Sequence, residues 1–491
     1  MTGFSGNGQP QTLGEWLGEV AGELADLPRQ RLTIDSRQVE AHDWFILAVT
    51  DNDKAQRFYT DAVARQPALI IAPEDVLLAD HEVPVVHVPQ LLERLGILIS
   101  HYFGEPSHSL CLTGITGTNG KTSVSQFLAN ALAELGKPCG VLGTLGYGFP
   151  DKMEVATHTT PDVLRVHQLL NGLQAQGATD VAMEVSSHAL MQGRVGGVLF
   201  DTAVFTNLTR DHLDYHGTME AYAKAKQLLF VSRGLKRAVI NLDDPWAADF
   251  IKALPASVEL VTFAREQDAS VHLSLWQPHA QGMSLCFQTP SGQIRFDTPL
   301  LGSFNVSNLL AVAAVLYARG FSHDDIASAL SALQRVPGRM ESFGGENKPL
   351  LVVDYAHTPD ALEKALTALR EHVRGQLWCI FGCGGDRDRG KRPLMAEAAS
   401  QADHVILTQD NPRTESPAQI IADTRAGFAQ GQSYDVIEDR SAAIHETFIR
   451  AKAGDVILIA GKGHEDYQDI QGIKHPYSDR DIARQLQESA S

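Results

Sequence analysis

The sequence predicts an α/β fold of three domains: a central, mostly parallel sheet domain of the P-loop type, flanked by a small N-terminal α/β domain and a C-terminal Rossmann-like α/β domain. The 491 residues are enough for about three domains with a core each. Short apolar segments alternate with helical patterns, which is the rhythm of parallel sheets. Residues 114–122 read GITGTNGKT, a glycine-rich turn between an apolar stretch and a helical pattern.

The N-terminal domain is predicted over residues 1–105. Short apolar strands are expected at Trp44–Val49, Ala68–Ala72 and Pro84–Val88, with helical stretches between them. The loop Gly104–Ser107 ends this domain, because glycine and proline interrupt regular structure.

The central domain is predicted over residues 106–335. Its first strand is expected at Leu110–Leu112, directly before the glycine-rich turn, and later strands at Val181–Met183, Thr202–Phe205 and Ala238–Asn241. The stretch Val271–Thr298 alternates apolar and polar residues with a period of two, which predicts antiparallel strands.

The C-terminal domain is predicted over residues 336–491, with Val336–Arg339 as the hinge before it. Apolar strands alternate with helical patterns here as well, so a further α/β sheet is expected. These strands are predicted at Leu350–Asp354, Leu377–Phe381, His404–Thr408 and Val456–Ala460.

Composition narrows the class of protein. The chain has 59 acidic residues against 41 Lys and Arg, a formal net charge of -18, and this balance argues against nucleic-acid binding. Its 5 cysteines are scattered without a CxxC pair, which favours reduced thiols and a cytoplasmic location. The N-terminus lacks the basic and apolar regions of a signal peptide, and no segment approaches 18 uninterrupted apolar residues. We therefore expect neither secretion nor membrane insertion.

The glycine-rich turn predicts a triphosphate site. Its glycines let backbone N–H groups approach phosphate oxygens, Lys121 reaches the β/γ-phosphates, and the Thr122 hydroxyl can ligate magnesium. The spacing is a variant, because the strict motif would place glycine where Ile115 stands. Such a turn alone is also compatible with a simple tight bend. Gly-Lys-Thr between a strand and a helix favours nucleotide binding.

Two polar clusters follow apolar strands of the central domain. Glu184, Ser186 and His188 lie in the first, where the carboxyl ends of parallel strands bind ligands, although a polar loop with a helix cap would look the same. The second contains His212, a candidate magnesium ligand, and His216, which is better read as an ordinary hydrogen-bonded residue. Lys224 and Lys226 lie on a helical stretch at 219–230, where composition alone indicates a solvated face.

Three polar segments follow strands of the C-terminal domain. They contain Arg387, the run Asp410–Arg413, and Gly461 with Glu465. Guanidinium groups pair with a carboxylate, and an acidic side chain pairs with an ammonium, so the set suits an amino acid. Surface salt bridges are the alternative.

Taken together, the motifs closely resemble those of the Mur ligase family, over nearly the whole chain. They occur in order as GTNGKT (117–122), MEVSSHAL (183–190), NLTRDHLDYHG (207–217), NLDD (241–244), GSFNVSN (302–308), PGRME (337–341), DYAHTPD (354–360), GCGGDRDRGKRP (382–393), DNPR (410–413) and GKGHE (461–465). The resemblance implies that the three domains bind, in order, the UDP part of a nucleotide precursor, ATP and an incoming amino acid.

The resemblance also implies the ATP and magnesium ligands. The triphosphate would lie on Gly117, Thr118, Asn119, Gly120, Lys121 and Thr122, with Asn305, Arg339 and Asp354 holding the base, phosphates or ribose. Thr122 and Glu184 would share one Mg²⁺ and His212 would bind a second. Lys226 would be carbamylated by carbon dioxide into an anion near the metals, and Lys121, Glu184, His212 and Lys226 would form the catalytic set.

The remaining implied contacts are with the two other substrates. Ser36, Thr159, Thr160, Ser186, Gln192 and Arg194 would hold the UDP-muramoyl dipeptide. Arg387, Asp410, Asn411, Pro412, Arg413, Gly461 and Glu465 would hold meso-2,6-diaminopimelate, with the arginine of DNPR facing the carboxylate that L-lysine lacks. The first domain departs from the family pattern, because the loop Ala48–Asp53 lacks the usual glycine and Asp-Gly that would contact uracil.

The implied activity is ATP-dependent, ADP-forming amide synthesis in cytoplasmic peptidoglycan precursor formation. ATP would phosphorylate the D-glutamyl γ-carboxylate, the amine of diaminopimelate would displace phosphate, and closure about hinges near residues 105 and 336 would assemble the site. We expect a monomer with small-molecule substrates and no nucleic-acid partner. The alternatives are an L-lysine-adding ligase, a folylpolyglutamate synthase-like ligase, a kinase that stops at the acyl phosphate, and an ATP-driven conformational switch without ligase activity.

Overall fold

The computed structural model describes residues 8–78, 83–279, 282–345 and 347–489. The first seven residues, part of the segment used to argue against a signal peptide, lie outside this description. The described residues form two compact units, the first within Met1–Ser125, Gly136–Ile240 and Asp244–Leu260, the second within Gln126–Leu135, Asn241–Asp243 and Val261–Ser491. Parallel strands alternate with helices in both, so the predicted α/β class is confirmed.

The first unit begins with a small parallel sheet. Its strands, in spatial order, are β1 (Leu32–Thr33), β2 (Trp44–Ile46), β3 (Leu69–Pro73) and β4 (Val85–Val88). Its helices are α1 (Leu13–Leu17), α2 (Asn52–Val63) and α3 (Leu91–Tyr102), with 3-10 turns at Gly18–Leu24, Ser36–Gln38 and Pro106–His108. Trp16 and Trp44 stack at 5.7 Å in its core. Strand β2 ends at Ile46, three residues before the end predicted for the strand at Trp44–Val49.

A larger sheet follows, most of it in the same unit; the C-terminal part of its first helix and the last residue of its final strand belong to the second unit. It consists of β5 (Cys111–Thr116), β6 (Cys139–Gly143), β7 (Gly146–Phe149), β8 (Lys152–Glu154), β9 (Asp180–Glu184), β10 (Thr202–Phe205) and β11 (Arg237–Asn241). The spatial order is β11-β10-β5-β9-β6-β7-β8, and only β7 and β8 run antiparallel to their neighbours. The helices are α4 (Lys121–Glu134), α5 (Val163–Ala175), α6 (Ser187–Met191), α7 (Leu213–His216), α8 (Met219–Gln227) and α9 (Ala247–Ala253), with a 3-10 turn at Leu228–Val231.

The helix α3 of the small sheet packs closely on the larger one. A Cβ atom at Gly96 would overlap the backbone of Gly196, so glycine is required for this approach. The buried His167 ring of α5 donates from Nε2 to the Gly196 carbonyl at 2.9 Å, and burial lowers the pKa of His167 to about 4. The two sheets of the first unit are thereby held together at this point.

The second unit contains a mostly antiparallel group, in which the first strand pairs parallel with the second, and a mostly parallel sheet, in which the first strand pairs antiparallel. The first group is β12 (Glu259–Ala264), β13 (Val271–His279), β14 (Gly282–Thr289) and β15 (Gly292–Thr298), followed by α10 (Ser303–Ala318) and α11 (His323–Ser331). Strands β13 to β15 pair antiparallel, as the period of two predicts, with residues 280 and 281 outside the described ranges.

The last sheet carries the C-terminal strand ends. Its strands are β16 (Glu341–Gly344), β17 (Leu350–Asp354), β18 (Leu377–Phe381), β19 (His404–Leu407), β20 (Asp435–Val436) and β21 (Val456–Ala460), in the order β16-β17-β21-β18-β19-β20. The hairpin β22 (Tyr467–Ile470) and β23 (Ile473–Pro476) follows. The helices are α12 (Pro359–Arg370), α13 (Lys391–Ala399), α14 (Pro417–Arg425), α15 (Arg440–Arg450) and α16 (Asp479–Glu488).

All five cysteines are free thiols, and four of them are buried. Across the described ranges, no helix combines the length and the apolar character needed to cross a bilayer.

Candidate active site

The phosphate loop lies between β5 and α4. The strand continues to Thr116, so Gly114 is a strand residue and not part of the turn; a Cβ atom there would meet Phe200 and Leu229 at 2.9 Å. The turn itself contains Gly117 (φ 150°) and Gly120 (φ 86°), conformations that favour glycine. A glycine-rich turn that leads into the N-terminus of a helix, here α4, is a position that favours anions such as phosphate.

The segment after β10 fixes this loop in place. Asn207 accepts from Thr118 N through its carbonyl at 2.8 Å and from Asn119 N through its Oδ1 at 2.9 Å. Thr206 Oγ1 donates to the Asn119 carbonyl at 2.6 Å, and Thr209 N donates to Thr118 Oγ1 at 3.0 Å. The motif NLT therefore shapes the phosphate loop from a neighbouring strand.

Two predicted ATP and magnesium residues lie at the start of α4. The Lys121 ammonium donates to the carbonyls of Gly117 and Thr118 at 2.8 and 2.9 Å, directly over the loop. Thr122 Oγ1 donates to Glu184 Oε2 at 3.0 Å. Glu184 is completely buried, and it also accepts from Thr144 through N and Oγ1 at 2.8 and 3.1 Å. A hydroxyl and a buried carboxylate thus meet beside the phosphate loop, which is a donor set that suits Mg²⁺.

Lys226 differs sharply from its neighbour Lys224. Lys224 is exposed, as expected for a solvated face, whereas Lys226 is 1% exposed and donates to the Gly117 carbonyl at 2.8 Å. Burial lowers the pKa of Lys226 well below its ordinary value, and the nearby Lys121 adds to this effect. The Lys226 amine therefore lies buried against the phosphate loop, where its neutral form is favoured.

His212 lies at the edge of the same region. Its backbone is left-handed (φ 54°), and its ring is 6.0 Å from the ring of Tyr222, over which the Lys226 ammonium lies at 4.5 Å. His216 Nε2 is 2.9 Å from Ser187 Oγ. Within the described residues, no group of three or more His, Cys, Asp or Glu is arranged to hold a metal ion. Thr122 and Glu184 supply the oxygen donors that Mg²⁺ prefers, whereas His212 and the unmodified Lys226 offer only nitrogen.

The residues expected to hold the muramoyl dipeptide form a connected group. Arg194 donates to Gln192 Oε1 through Nε at 2.9 Å and to the Thr160 carbonyl through Nη1 at 2.9 Å. Thr160 Oγ1 donates to the Glu184 carbonyl at 2.8 Å and accepts from Ser186 N at 3.1 Å. Thr159 Oγ1 lies 3.1 Å from Thr144 Oγ1. This group is thus continuous with the Thr122–Glu184 pair.

Ser36 lies apart from that group, buried in the small sheet domain. Its neighbours Thr33, Ile34 and Asp35 line a cavity of about 460 Å³. The opposite wall of this cavity was not foreseen from the sequence, and it contains Tyr147, Glu154, Val155, Thr157, Arg165 and Gln168. The loop at 48–53 is not part of the lining.

The remaining predicted nucleotide residues belong to the second unit. Asn305 is buried in α10 and donates from Nδ2 to the Leu301 carbonyl at 2.8 Å. The Arg339 guanidinium lies 4.7 Å from the ring centre of Tyr355, and its buried Nε has no hydrogen-bond partner in the described structure. Asp354 accepts from the backbone N–H groups of Met340 and Ala356 at 2.8 Å. Burial raises the pKa of Asp354, and Arg339 opposes this shift.

The predicted amino-acid residues meet at the ends of β19 and β21. Asn411 Nδ2 donates to Glu465 Oε2 at 2.9 Å. Lys462, which the sequence analysis did not single out, donates to both Asn411 Oδ1 and Glu465 Oε2 at 2.9 and 3.0 Å. Gly461 (φ 119°) has no room for a side chain, because Asp410 Oδ2 would lie 2.8 Å from its Cβ.

The loop after β18 holds the predicted arginines next to this cluster. Arg413 (φ 51°) donates to the Gly385 carbonyl at 2.7 Å, and a Cβ atom at Gly384 would lie 2.9 Å from Arg413 Nη1 and 3.8 Å from Arg387 Cγ. Behind the loop, the buried Arg392 pairs with Glu415 at 2.8 Å. The side chains of Arg387 and Arg413 therefore approach each other beside Gly384, and guanidinium groups are suited to pairing with a carboxylate.

A phosphate loop at the first crossover of a parallel sheet, with a buried hydroxyl–carboxylate pair beside it, defines a nucleotide-dependent enzyme of the P-loop type. The chain belongs to the Mur ligase family: residues 115–316 match the Mur ligase middle domain, and residues 338–463 match the Mur ligase, glutamate ligase domain.

Curated relatives resemble the chain over most of their length. It is 49% identical over 453 residues to the UDP-N-acetylmuramoyl-L-alanyl-D-glutamate–2,6-diaminopimelate ligase of Ectopseudomonas mendocina, covering 92% of this chain and 93% of the relative. The protein of the same name from Pseudomonas aeruginosa is 48% identical, with 92% and 94% covered. A solved structure with that name superposes with a TM-score of 0.74 at 38% identity, covering 98% and 99% of the two chains.

Proposed function

We propose that this chain is an ATP-dependent, ADP-forming ligase that joins meso-2,6-diaminopimelate to the D-glutamyl γ-carboxylate of UDP-N-acetylmuramoyl-L-alanyl-D-glutamate. The observation that carries the proposal is the cluster of Arg387 and Arg413 beside the Asn411–Glu465 pair at neighbouring strand ends. Near-full-length likeness to relatives named for this reaction supports it. The reaction belongs to peptidoglycan precursor synthesis, and we place it in the cytoplasm with the enzyme as a monomer.

We propose that each of three domains binds one of the three substrates. Residues 1–105 bind the UDP part of the precursor, residues 106–335 bind ATP, and residues 336–491 bind the amino acid. The family matches at 115–316 and 338–463 support the second and third of these assignments. For the first, the support is the cavity of about 460 Å³ lined by Thr33–Asp35 and Arg165, which is large enough for a nucleotide base.

We assign the triphosphate of ATP to the residues 117–122. Lys121 neutralises charge on the β/γ-phosphates, since its ammonium lies over the loop. Asn305, Arg339 and Asp354 contact the base, ribose or phosphates. The unpaired Nε of Arg339 supports this role, because a buried guanidinium N–H without a partner is costly.

Magnesium and carbamylation complete the proposed catalytic set. Thr122 and Glu184 hold one Mg²⁺, while His212 and a carbamylated Lys226 serve a second. When bound, the ions neutralise charge on the transferring phosphoryl group. Lys226 suits carbamylation because its amine is buried with a lowered pKa, and only a neutral amine attacks carbon dioxide. Forming the carbamate releases one proton and creates an anion with two oxygens.

The proposed mechanism makes a carboxylate electrophilic. A γ-carboxylate oxygen attacks the γ-phosphorus of ATP, the bond to ADP breaks, and an acyl phosphate forms. The neutral amine of diaminopimelate then attacks the acyl carbon, phosphate leaves, and one proton is released. Arg194, Thr160 and Ser186 orient the dipeptide beside the phosphate loop. No side-chain nucleophile is required.

Recognition of diaminopimelate uses both signs of charge. Arg387 and Arg413 receive the carboxylate distant from the reacting amine, and Glu465 with Asn411 receives the ammonium on the same carbon. L-Lysine carries an ammonium but no carboxylate at that end, so the two guanidinium groups would stay unpaired with lysine.

A product analysis tests this function. The enzyme is incubated with ATP, the UDP-muramoyl dipeptide and either diaminopimelate or L-lysine, and the products are identified by mass spectrometry. We expect the diaminopimelate adduct with one ADP released per amide. A lysine adduct at equal rate would favour the lysine-adding ligase, ADP release independent of both substrates would favour a switch, and accumulation of acyl phosphate with diaminopimelate present would favour a kinase. A folate substrate panel separates the folylpolyglutamate synthase alternative.

A further inference from the structure

Lys462 is a fully buried cation inside the proposed amino-acid site, with 0% of its side chain exposed. A buried ammonium is stable only when hydrogen-bonded and paired. Its Nζ donates to Asn411 Oδ1 at 2.9 Å and to Glu465 Oε2 at 3.0 Å, and it lies 3.7 Å from Asp410 Oδ1. Lys462 thus contacts three residues assigned to the amine substrate.

These contacts determine which way the Asn411 amide faces. Oδ1 accepts from Lys462 and also from the backbone N–H of Asp469 at 2.9 Å. Only the oxygen can accept both donors, so Nδ2 must point the other way, where it donates to Glu465 Oε2 at 2.9 Å. An amide rotated by 180° would set two donors against its own N–H₂ group.

The same contacts select one oxygen of Glu465. Oε2 accepts from both Lys462 and Asn411. In the described structure Oε1 accepts no hydrogen bond, so it is the atom left to receive a donor from a ligand. Glu465 is 17% exposed, which makes this oxygen accessible.

A second buried cation fixes the two strand ends from behind. Arg440 and Asp479 form an ion pair at 2.8 Å with both side chains 0% exposed. Arg440 also donates to the carbonyl of Ala460 at 2.8 Å and to that of Gln409 at 3.3 Å. These carbonyls directly precede Gly461 and Asp410, so the backbone that presents the cluster is held rigidly.

The charges of this cluster leave room for one ammonium. Lys462 and Arg440 face the carboxylates of Asp410, Glu465 and Asp479, which leaves one net negative charge. One ammonium group neutralises it. Without Lys462, Asp410 and Glu465 would repel each other and the Asn411 amide would lose its fixed orientation.

We propose that Lys462 is a positioning residue for the amine substrate: it fixes the Asn411 amide and turns Glu465 so that Oε1 receives the non-reacting ammonium of the incoming amino acid. This inference rests on the proposed function and deepens it. Lys462 acts through Asn411 and Glu465 and does not itself touch the substrate.

The test compares Lys462→Met with Lys474→Met in steady-state kinetics. Lys474 is a matched control because both ammonium groups lie over the Tyr467 ring, that of Lys462 at 5.7 Å and that of Lys474 at 4.0 Å, but Lys474 is exposed to solvent. We expect Lys462→Met to raise KM for diaminopimelate at least about tenfold, with KM for ATP and for the dipeptide changed less than about twofold. Lys474→Met should leave all three within about twofold. An equal rise in all three KM values, or an unchanged KM for diaminopimelate, would overturn the proposal.

A double variant covers the case in which Lys462→Met does not fold. Lys462→Met/Glu465→Gln removes the cation together with its carboxylate partner and leaves fewer unpaired charges. If Lys462 acts through its partners, the double variant should have a KM for diaminopimelate within about threefold of Glu465→Gln alone. A further tenfold loss would mean an independent role and would refute the proposal.

Failure of the proposed function has a different signature. In that case the wild-type enzyme forms no amide with diaminopimelate, and the same variants are measured with the amine it does accept. A selective rise in KM for that amine would support Lys462 as a positioning residue, and no rise would overturn it.

Discussion

Replacing Lys226 by alanine is the sharpest perturbation of the proposed catalytic set. The structure places its amine 2.8 Å from the Gly117 carbonyl, with 1% of the residue exposed. Loss of this hydrogen bond should cost about 1 kcal/mol of stability. Loss of the proposed carbamate, which would hold a Mg²⁺ ion that neutralises phosphoryl charge, should cost more, because removing one group that stabilises transition-state charge costs about 2.7–4 kcal/mol. We therefore expect kcat to fall about 10²- to 10³-fold.

The assay is ADP release in the presence of dipeptide and diaminopimelate, with and without added formate or acetate. The alanine leaves space for a short carboxylate, which should restore part of the activity. Lys224→Ala is the matched control, since Lys224 lies on the same helix and is exposed. Full activity of Lys226→Ala without any carboxylate would refute the metal role, and so would an equal loss in Lys224→Ala.

Three further predictions concern the first unit. Gly117→Ala should raise KM for ATP at least about tenfold, because its Cβ would overlap Thr206 Oγ1 at φ 150°; unchanged ATP binding by calorimetry would contradict this. Thr122→Val should lower kcat about 10- to 100-fold and raise the Mg²⁺ concentration needed for half activity, since Glu184 loses its 3.0 Å partner; an unchanged Mg²⁺ titration would exclude Thr122 as a ligand. His167 has a pKa of about 4 when folded, so below about pH 6.5 the unfolded chain binds the additional proton. Stability from this group is complete above that pH and declines towards pH 4, by about 3 kcal/mol in all. Urea unfolding of His167→Gln should show a smaller acid loss, and an equal loss would exclude His167 as the cause.

Strand positions followed closely from the sequence where the strands are buried on both faces. The segments at Thr202–Phe205, Leu350–Asp354, Leu377–Phe381 and Val456–Ala460 have the predicted bounds, because continuous apolar runs are typical of parallel sheets. The phosphate strand is longer than predicted. Gly114 reads as part of a turn in the sequence, but close packing by Phe200 and Leu229 explains a glycine inside a strand.

Candidate site residues were easier to locate from the sequence at strand ends than behind them. Asn411 and Glu465 follow apolar strands and belong to recognisable motifs, so the sequence alone placed them together. Lys462 belongs to the same motif as Glu465, GKGHE. A lysine in a loop usually lies in solvent, and only the fold reveals that Lys462 is buried. Likewise, composition gives no reason to distinguish Lys224 from Lys226, and the packing of α8 determines which of the two lysines is buried.

Contacts between residues that are far apart in the chain could not be predicted from local sequence patterns. Thr144 reaches Glu184 from the loop after β6, and Asn207 shapes the phosphate loop from 88 positions away. The cavity wall formed by Tyr147, Glu154 and Arg165 could not be predicted locally either, because it depends on how the β7–β8 hairpin faces the small sheet. Such juxtapositions follow from sheet order, which periodicity does not specify.

Recognition of the distant carboxylate of diaminopimelate by guanidinium groups can be tested by substrate discrimination. We would measure kcat/KM for diaminopimelate and for L-lysine in the wild-type enzyme and in Arg413→Ala. We expect the variant to lose about 10- to 100-fold in kcat/KM with diaminopimelate, because a charge-assisted hydrogen bond contributes about 1.5–3 kcal/mol, while its low rate with lysine is unchanged. A preference for diaminopimelate that stays the same in Arg413→Ala would exclude Arg413 as the residue that recognises this carboxylate.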